Sequence, residues 1–249
     1  MPMKATAFEF RHRFLFHAII YALAFTAPWD YWLRWDSIRT WQYVAAWPAR
    51  MGWLTFSAAT IAVLVLGILF ALTGAWIRTW ASAYLGASIV QDKAMHGEGV
   101  VAAGPYRHLR NPLYLGTFVH TFALALIMPP SGAIFSILAI GLLQLRLIGA
   151  EESFLSAKLG EPYLTYCAKV PRILPSLSPR VAPSTQKPDW PNGFLGEIYM
   201  WGVVVTFAFF GWRYNSQLLL KGILISLGVS LIVRAFLPNA DTKVRTSSS

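Results

Sequence analysis

The stretch GWLTFSAATIAVLVLGILFALTGAWI, residues 52–77, contains no charged side chain and is closed by Arg78. A helix rises 1.5 Å per residue, so about 20 apolar residues cross the ~30 Å hydrocarbon core of a bilayer. This run is long enough to cross with tilt, and Arg78 can extend its charge to the interface. The rest of the chain repeats the theme. Toward the N-terminus, Phe14 to Ala27 is apolar, preceded by Lys4, Arg11 and Arg13 and followed by Trp29, Tyr31, Trp32 and Trp35. Basic residues before an apolar run and aromatic residues after it describe a membrane anchor with an interfacial belt. Ala22 and Ala24 form only a weak signal-peptide cleavage pattern, and the aromatic cluster suits an interface better.

Toward the C-terminus a polar stretch, Gln91 to Asn111, precedes two apolar runs, Leu113 to Met128 and Gly132 to Ile148. Only Pro129, Pro130 and Ser131 separate them, so they form an antiparallel helical hairpin. A second polar stretch, Glu151 to Asn192, leads to the runs Leu195 to Trp212 and Leu218 to Phe236, joined by Arg213 to Gln217. The expected fold class is all-α: a polytopic membrane protein of about six transmembrane helices, forming one membrane domain over 1–249 with a C-terminal hairpin at 195–236. No internal repeat is visible, and only the tail Thr246 to Ser249 reads as disordered.

Composition agrees. Of 249 residues, 56% are hydrophobic and 13% charged, with a mean hydropathy of +0.49. The net charge of +10 does not point to nucleic acid, because Lys and Arg flank apolar segments, where they face anionic lipid and set orientation. An N-terminus in the cytoplasm puts both long polar stretches there, with Lys93, Arg107, Arg110, Lys158, Lys169, Arg172, Arg180 and Lys187. The loop with Arg34, Arg39 and Arg50, offset by Asp30 and Asp36, argues mildly the other way. The expected location is that of an integral, multi-pass protein whose two long polar stretches lie on the cytoplasmic face, and a bacterial inner membrane is the membrane expected. A single cysteine, Cys167, excludes an intrachain disulfide, and no metal-ligand cluster is visible.

Chemistry-bearing residues gather at two places. The first is Gly104-Pro105-Tyr106-Arg107-His108-Leu109-Arg110-Asn111-Pro112-Leu113-Tyr114, where Pro112 suits the first turn of a helix and Asn111 its cap. Free N–H groups and the positive dipole end of such a helix hold a carboxylate or phosphate. The second is Arg146-Leu147-Ile148-Gly149-Ala150-Glu151-Glu152. Arg146 lies inside an apolar run, a costly position that marks a functional candidate unless the side chain snorkels. Glu151 and Glu152 differ by about 100° around a helix, so one is expected to face a ligand while the other pairs with Arg107 or Arg110 or faces water. Beyond the carboxylates, Ser153 to Leu159 is expected to continue as a short amphipathic helix stopped by Gly160, with Pro162 starting another that carries Tyr163 and Tyr166, both along the interface. Val170-Pro171-Arg172-Ile173-Leu174-Pro175 reads as an extended strap, and Gly97-Glu98-Gly99 as a turn.

These residues resemble the isoprenylcysteine carboxyl methyltransferase and phospholipid methyltransferase superfamily. The resemblance covers 72–175 and rests on Arg78-Thr79-Trp80-Ala81 with Leu85-Gly86, Gly104-Pro105-Tyr106-Arg107, Arg110-Asn111-Pro112-Leu113-Tyr114, Glu151-Glu152, Gly160-Glu161-Pro162-Tyr163 and Val170-Pro171-Arg172, in that order. It implies an S-adenosylmethionine pocket at the cytoplasmic face, with Arg107, His108, Arg110, Asn111, Tyr114, Glu151 and Glu152 as cofactor-binding residues. Arg146 and Glu152 are the implied catalytic residues, and the acceptor is a lipophilic small molecule or lipid-modified group arriving from the bilayer. The chain departs from the isoprenylcysteine branch in having Asn111 where that branch has histidine. Its Arg146 also precedes Glu151 by five residues instead of four. The acceptor subtype, whether isoprenylcysteine carboxylate, lipid amine or small thiol, therefore stays open. Two other classes compete: an NADPH-dependent membrane reductase of the sterol reductase type, whose arginines would grip the 2′-phosphate, and a non-enzymatic transporter or scaffold.

Overall fold

The computed structural model describes residues 4–33, 38–85, 100–182 and 186–236, and among them there are helices, turns and extended connections but no strand. Arg34, Trp35, Asp36, Gly86, Lys93, the Gly97-Glu98-Gly99 turn and the tail Thr246 to Ser249 lie outside the described residues. Helix α1 (Ala7–Arg11) begins with a capping box: the Glu9 N–H donates to the Thr6 hydroxyl at 3.2 Å, and the Thr6 N–H donates to the Glu9 carboxylate at 2.6 Å. Helices α2 (Arg13–Thr26), α3 (Pro28–Leu33) and α4 (Thr40–Arg50) follow, then α5 (Phe56–Leu85), α6 (Pro112–Ala125), α7 (Pro130–Leu159), α8 (Glu161–Lys169), α9 (Trp190–Gly196), α10 (Ile198–Phe210) and α11 (Ser216–Phe236).

Three of these, α5, α7 and α11, are long and apolar enough to cross a membrane. Helices α9 and α10, bent by 69° about Glu197, pass the same test jointly and make a fourth. Helix α6 is apolar but has 14 residues, or ~21 Å, which is short of a full crossing. Helix α2 also has 14 residues. Of the six expected crossings, three helices among the described residues meet the length and hydropathy needed, or four with the bent pair. For α6 the reason is visible. Its run continues to Met128, but the carbonyls of Leu126 and Met128 accept from the N–H groups of Trp41 and Thr40 at 2.8 and 2.9 Å, so α4 captures its last turn.

Helix α5 is the central element and packs most extensively on α6, at a crossing built from glycine. A Cβ at Gly74 would meet the Gly116 carbonyl oxygen at 2.7 Å, and one at Gly116 would meet the Gly74 oxygen at 2.9 Å. Only glycine lets two backbones come this close, the device by which helices associate where lipid removes the hydrophobic drive. The expected hairpin of α6 and α7 is present, joined through Leu126 to Pro129. Leu124, Met128, Val203 and Phe207 are buried in the core between α5, α6, α7 and α10. Large apolar side chains such as Leu69, Leu138, Ile225 and Ile232 are exposed, as lipid-facing positions are.

Residues 153–159 continue α7 as expected, and its 30 residues end at Gly160 with φ of 60°. Nothing in Ser153 to Leu159 breaks the helical repeat; Ser153 and Ser156 return their hydroxyls to the carbonyls four residues back, within the helix. Helix α7 therefore carries Glu151 and Glu152 within its body instead of at its end. In the C-terminal part α10 and α11 pack on each other, and α9 and α10 also pack on α5.

The elements sort to two ends. At one, Ser131 donates to Asp30 at 2.5 Å, Trp41 donates to Ser216 at 3.1 Å, and the Trp41 and Tyr214 rings are 6.1 Å apart. At the other lie the turn Gly104–Arg107, α8, the segment after it and the start of α9, where the Asp189 N–H donates to the Ala83 carbonyl at 2.8 Å.

Candidate active site

Pro112 opens α6 and Asn111 stands at its N-cap, yet the Asn111 side chain does not cap. Its amide nitrogen donates instead to Glu152 Oε1 and to the Arg172 carbonyl, each at 3.0 Å. A carboxylate and a carbonyl compete here for the donor, and an Asn amide that faces them turns its N–H₂ away from the capping role, which needs its oxygen. The start of α6 is therefore left without a side-chain cap. Its first turn projects Tyr114, whose hydroxyl donates to Glu151 Oε2 at 2.9 Å.

Glu152 is enclosed by cations. Arg110 Nη1 lies 3.4 Å from Oε1, and Arg172 Nε lies 2.9 Å from Oε2 in the geometry of an ion pair without aligned hydrogen bonding. With Asn111 it meets three partners, whereas the one hydrogen bond of Glu151 among the described residues comes from Tyr114. The 100° offset between neighbours thus separates the pair: Glu152 turns to the start of α6 and the segment after α8, Glu151 to Tyr114. The buried Arg13 guanidinium also acts on Glu151 electrostatically, and it stacks over the Phe10 and Phe14 rings at 4.6 and 4.8 Å.

The strap expected at Val170 to Pro175 is present and runs further, to Val181. The Arg110 N–H donates to the Pro171 carbonyl at 2.9 Å, the Ser176 N–H to His108 at 3.0 Å, and the Arg180 N–H to Arg107 at 2.8 Å. Arg107 Nε donates to the Val181 carbonyl at 3.0 Å, and His108 Nδ1 lies 2.9 Å from the Ser176 carbonyl, to which its Nδ1–H tautomer donates. Beneath the strap, Tyr166 of α8 donates to the Tyr106 carbonyl at 2.8 Å. Burial pushes the Tyr106 and Tyr166 hydroxyls well above the ordinary tyrosine range, so both stay donors at neutral pH.

Of the residues singled out in the sequence, the structure brings Arg110, Asn111, Tyr114, Glu151 and Glu152 together. Arg107 and His108 hold the strap at the edge of this cluster. Arg146 lies elsewhere, where its Nε and Nη2 reach Glu9 at 3.1 and 2.8 Å and its carbonyl accepts from the Ala5 N–H at 2.9 Å. Its position one turn and a half before Glu152 on α7 turns it toward α1. The sequence reading gave no site role to Arg172, although Val170-Pro171-Arg172 was singled out, nor to Glu197. Glu197 interrupts the apolar run from Leu195 to Trp212, and the rule that flagged Arg146, an ionisable group within an apolar segment, flags it equally.

No curated protein and no solved structure matches the chain. Residues 62–161 match the model of the phospholipid methyltransferase family. That interval contains the glycine crossing of α5 and α6 and five cluster residues, Arg110, Asn111, Tyr114, Glu151 and Glu152, while Arg172 lies beyond its end at residue 161. With its long apolar helices and this match, the chain is an integral membrane protein whose residues 62–161 carry the sequence pattern of the phospholipid methyltransferases.

Proposed function

We propose that the protein is an S-adenosylmethionine-dependent methyltransferase whose cofactor is held at the Glu151–Glu152 cluster and whose acceptor is a lipophilic or amphiphilic group reaching the site from the bilayer. The observation that supports this most is the unequal engagement of the two glutamates. Glu152, matched by Arg110, Asn111 and Arg172, serves as the internal anchor of the cluster. Glu151 keeps hydrogen-bonding capacity beyond the single bond from Tyr114 and suits an ammonium.

The donor set fits the rest of such a cofactor. Arg110 Nε and the Tyr106 hydroxyl are buried without a hydrogen-bond partner among the described residues, and a buried unsatisfied donor costs about 1–3 kcal/mol, which a ligand carboxylate, hydroxyl or ring nitrogen would relieve. The uncapped first turn of α6 adds N–H groups of the polarity a carboxylate prefers. S-adenosylmethionine supplies an electrophilic methyl on a sulfonium, so no protein nucleophile is required. The chain contributes positioning, exclusion of water by the strap, and anchoring of the ammonium by Glu151. NADPH, with several negative charges, gains from the arginines but is repelled by Glu151 and Glu152.

The reading places the cluster on the cytoplasmic face of a bacterial inner membrane, within one membrane domain in which α2 and α6 complete a six-helix arrangement. Calorimetry on detergent-solubilised protein tests the cofactor. Binding of S-adenosylmethionine with none of NADPH is expected, and NADPH binding in its absence overturns the assignment. Transfer of a labelled methyl group to extracted membrane lipids identifies the acceptor class.

A further inference from the structure

Glu197 lies outside the matched interval, at the bend between α9 and α10, and is 2% exposed. Its carboxylate accepts from Arg78 Nε at 2.6 Å, from Arg78 Nη2 at 2.9 Å and from the Ser82 hydroxyl at 2.7 Å. The remaining arm of the same guanidinium, Nη1, donates to the Leu113 carbonyl at 3.2 Å and to the Thr117 hydroxyl at 2.8 Å. Leu113 and Thr117 bracket Tyr114, the residue bonded to Glu151, and follow Asn111, the residue bonded to Glu152. One arginine on α5 thus grips the first turn of α6 with one arm and a buried carboxylate with the other two donors. The planar fork of arginine is fixed only when its far side is engaged.

We infer that Glu197 is a positioning residue for the candidate site: by locking the Arg78 fork it fixes the first turn of α6, and with it the aim of Asn111 and Tyr114 toward the glutamate pair. This makes the bend of α9 and α10 part of the site's support. The bend gives the carboxylate its access, because α9 and α10 meet at the end of α5 where Arg78 and Ser82 stand one turn apart. The positioning itself is independent of any ligand; its effect on cofactor binding rests on the function proposed above.

The test has two arms, so that failure of one reading is not mistaken for failure of the other. In the first, hydrogen exchange is followed by mass spectrometry on the full chain in detergent for wild type, Glu197→Gln, Arg78→Lys and Trp201→Phe. Trp201 donates its indole N–H to Thr79 at 2.9 Å, a bond that ties α10 to α5 and not to α6, so its removal controls for general loosening. Glu197→Gln and Arg78→Lys are expected to raise exchange tenfold or more in peptides covering 109–118, and Trp201→Phe to leave them as in wild type. Unchanged exchange at 109–118 in Glu197→Gln, or an equal rise in Trp201→Phe, overturns the inference. In the second arm, S-adenosylmethionine affinity is expected to fall about tenfold in Glu197→Gln and to remain in Trp201→Phe. Faster exchange at 109–118 in a protein whose wild type binds no S-adenosylmethionine supports the positioning role and rejects the cofactor assignment alone. Wild-type affinity in Glu197→Gln despite faster exchange overturns the link to the site.

Discussion

At the scale of single residues the glutamate pair is the sharpest instance of adjacent side chains with different duties. Glu151→Gln keeps size and the Tyr114 contact while removing the charge an ammonium would meet. It is expected to weaken S-adenosylmethionine by about 1.5–3 kcal/mol, the worth of a charge-assisted hydrogen bond, or ten- to a hundredfold by calorimetry. Glu152→Gln leaves Arg110 and Arg172 facing each other without their shared counter-charge, so its expected signature is a lower unfolding temperature with a smaller change in binding. A larger binding loss in Glu152→Gln than in Glu151→Gln would reverse the assignment. Glu9 supplies a pH-dependent companion. Hydrogen bonds from Arg146, then from the Thr6 backbone, hold its carboxyl down at about 2 against an ordinary value of 4.5. A depressed carboxyl stabilises the fold above its unfolded pKa and loses that contribution as pH falls from 4.5 toward 2. The protection of residues 5–12 against hydrogen exchange, relative to the unstructured rate at each pH, is expected to fall across that window in wild type and to lose this dependence in Arg146→Gln.

At the scale of elements the crossing of α5 and α6 fixes the distance between the helix that carries Arg78 and the helix that starts the site. Gly74→Ala would push a methyl into the Gly116 carbonyl and the backbone N–H of His120 at 3.0 Å, neither of which can retreat as a flexible side chain does. A cost of about 1–3 kcal/mol is expected, read as a lower midpoint of thermal unfolding in detergent. Much of this architecture was legible in the sequence: the apolar run of α5, the proline-marked hairpin of α6 and α7, and the strap after α8 all follow from composition and proline chemistry. The hold of Thr40 and Trp41 on the end of α6 was not, because hydropathy registers an apolar run without registering the contacts at its end. The site was legible in part. Its motif residues stand close in sequence, but the side-chain partners of Asn111 and Arg146, Glu152 and Glu9, are contacts across the fold that spacing along one helix does not encode. Glu197 carried a signal, its charge within an apolar run, and the Arg78 fork and Ser82 hydroxyl that meet it at the 69° bend explain why it is tolerated there.

At the scale of the whole molecule the two ends predict an orientation. With Cys167 replaced by alanine, cysteines introduced at the exposed positions Met51 and Arg213 should react with an impermeant reagent from the outer side, while those at the exposed Ser178 and Lys187 should not. Labelling of Ser178→Cys and Lys187→Cys from outside would invert the proposed orientation. The strap offers a different kind of consequence. It is held to residues 107–110 by three main-chain hydrogen bonds, from Arg110 to Pro171, Ser176 to His108, and Arg180 to Arg107, while Leu174 and Leu177 point outward. Main-chain bonds read length and path but not side-chain identity. The exposed outer positions of this segment can therefore drift in sequence while the number of residues between Pro171 and Arg180 cannot. A lineage descended from this chain would preserve the spacing of its strap long after the letters at 173, 174 and 177 had changed.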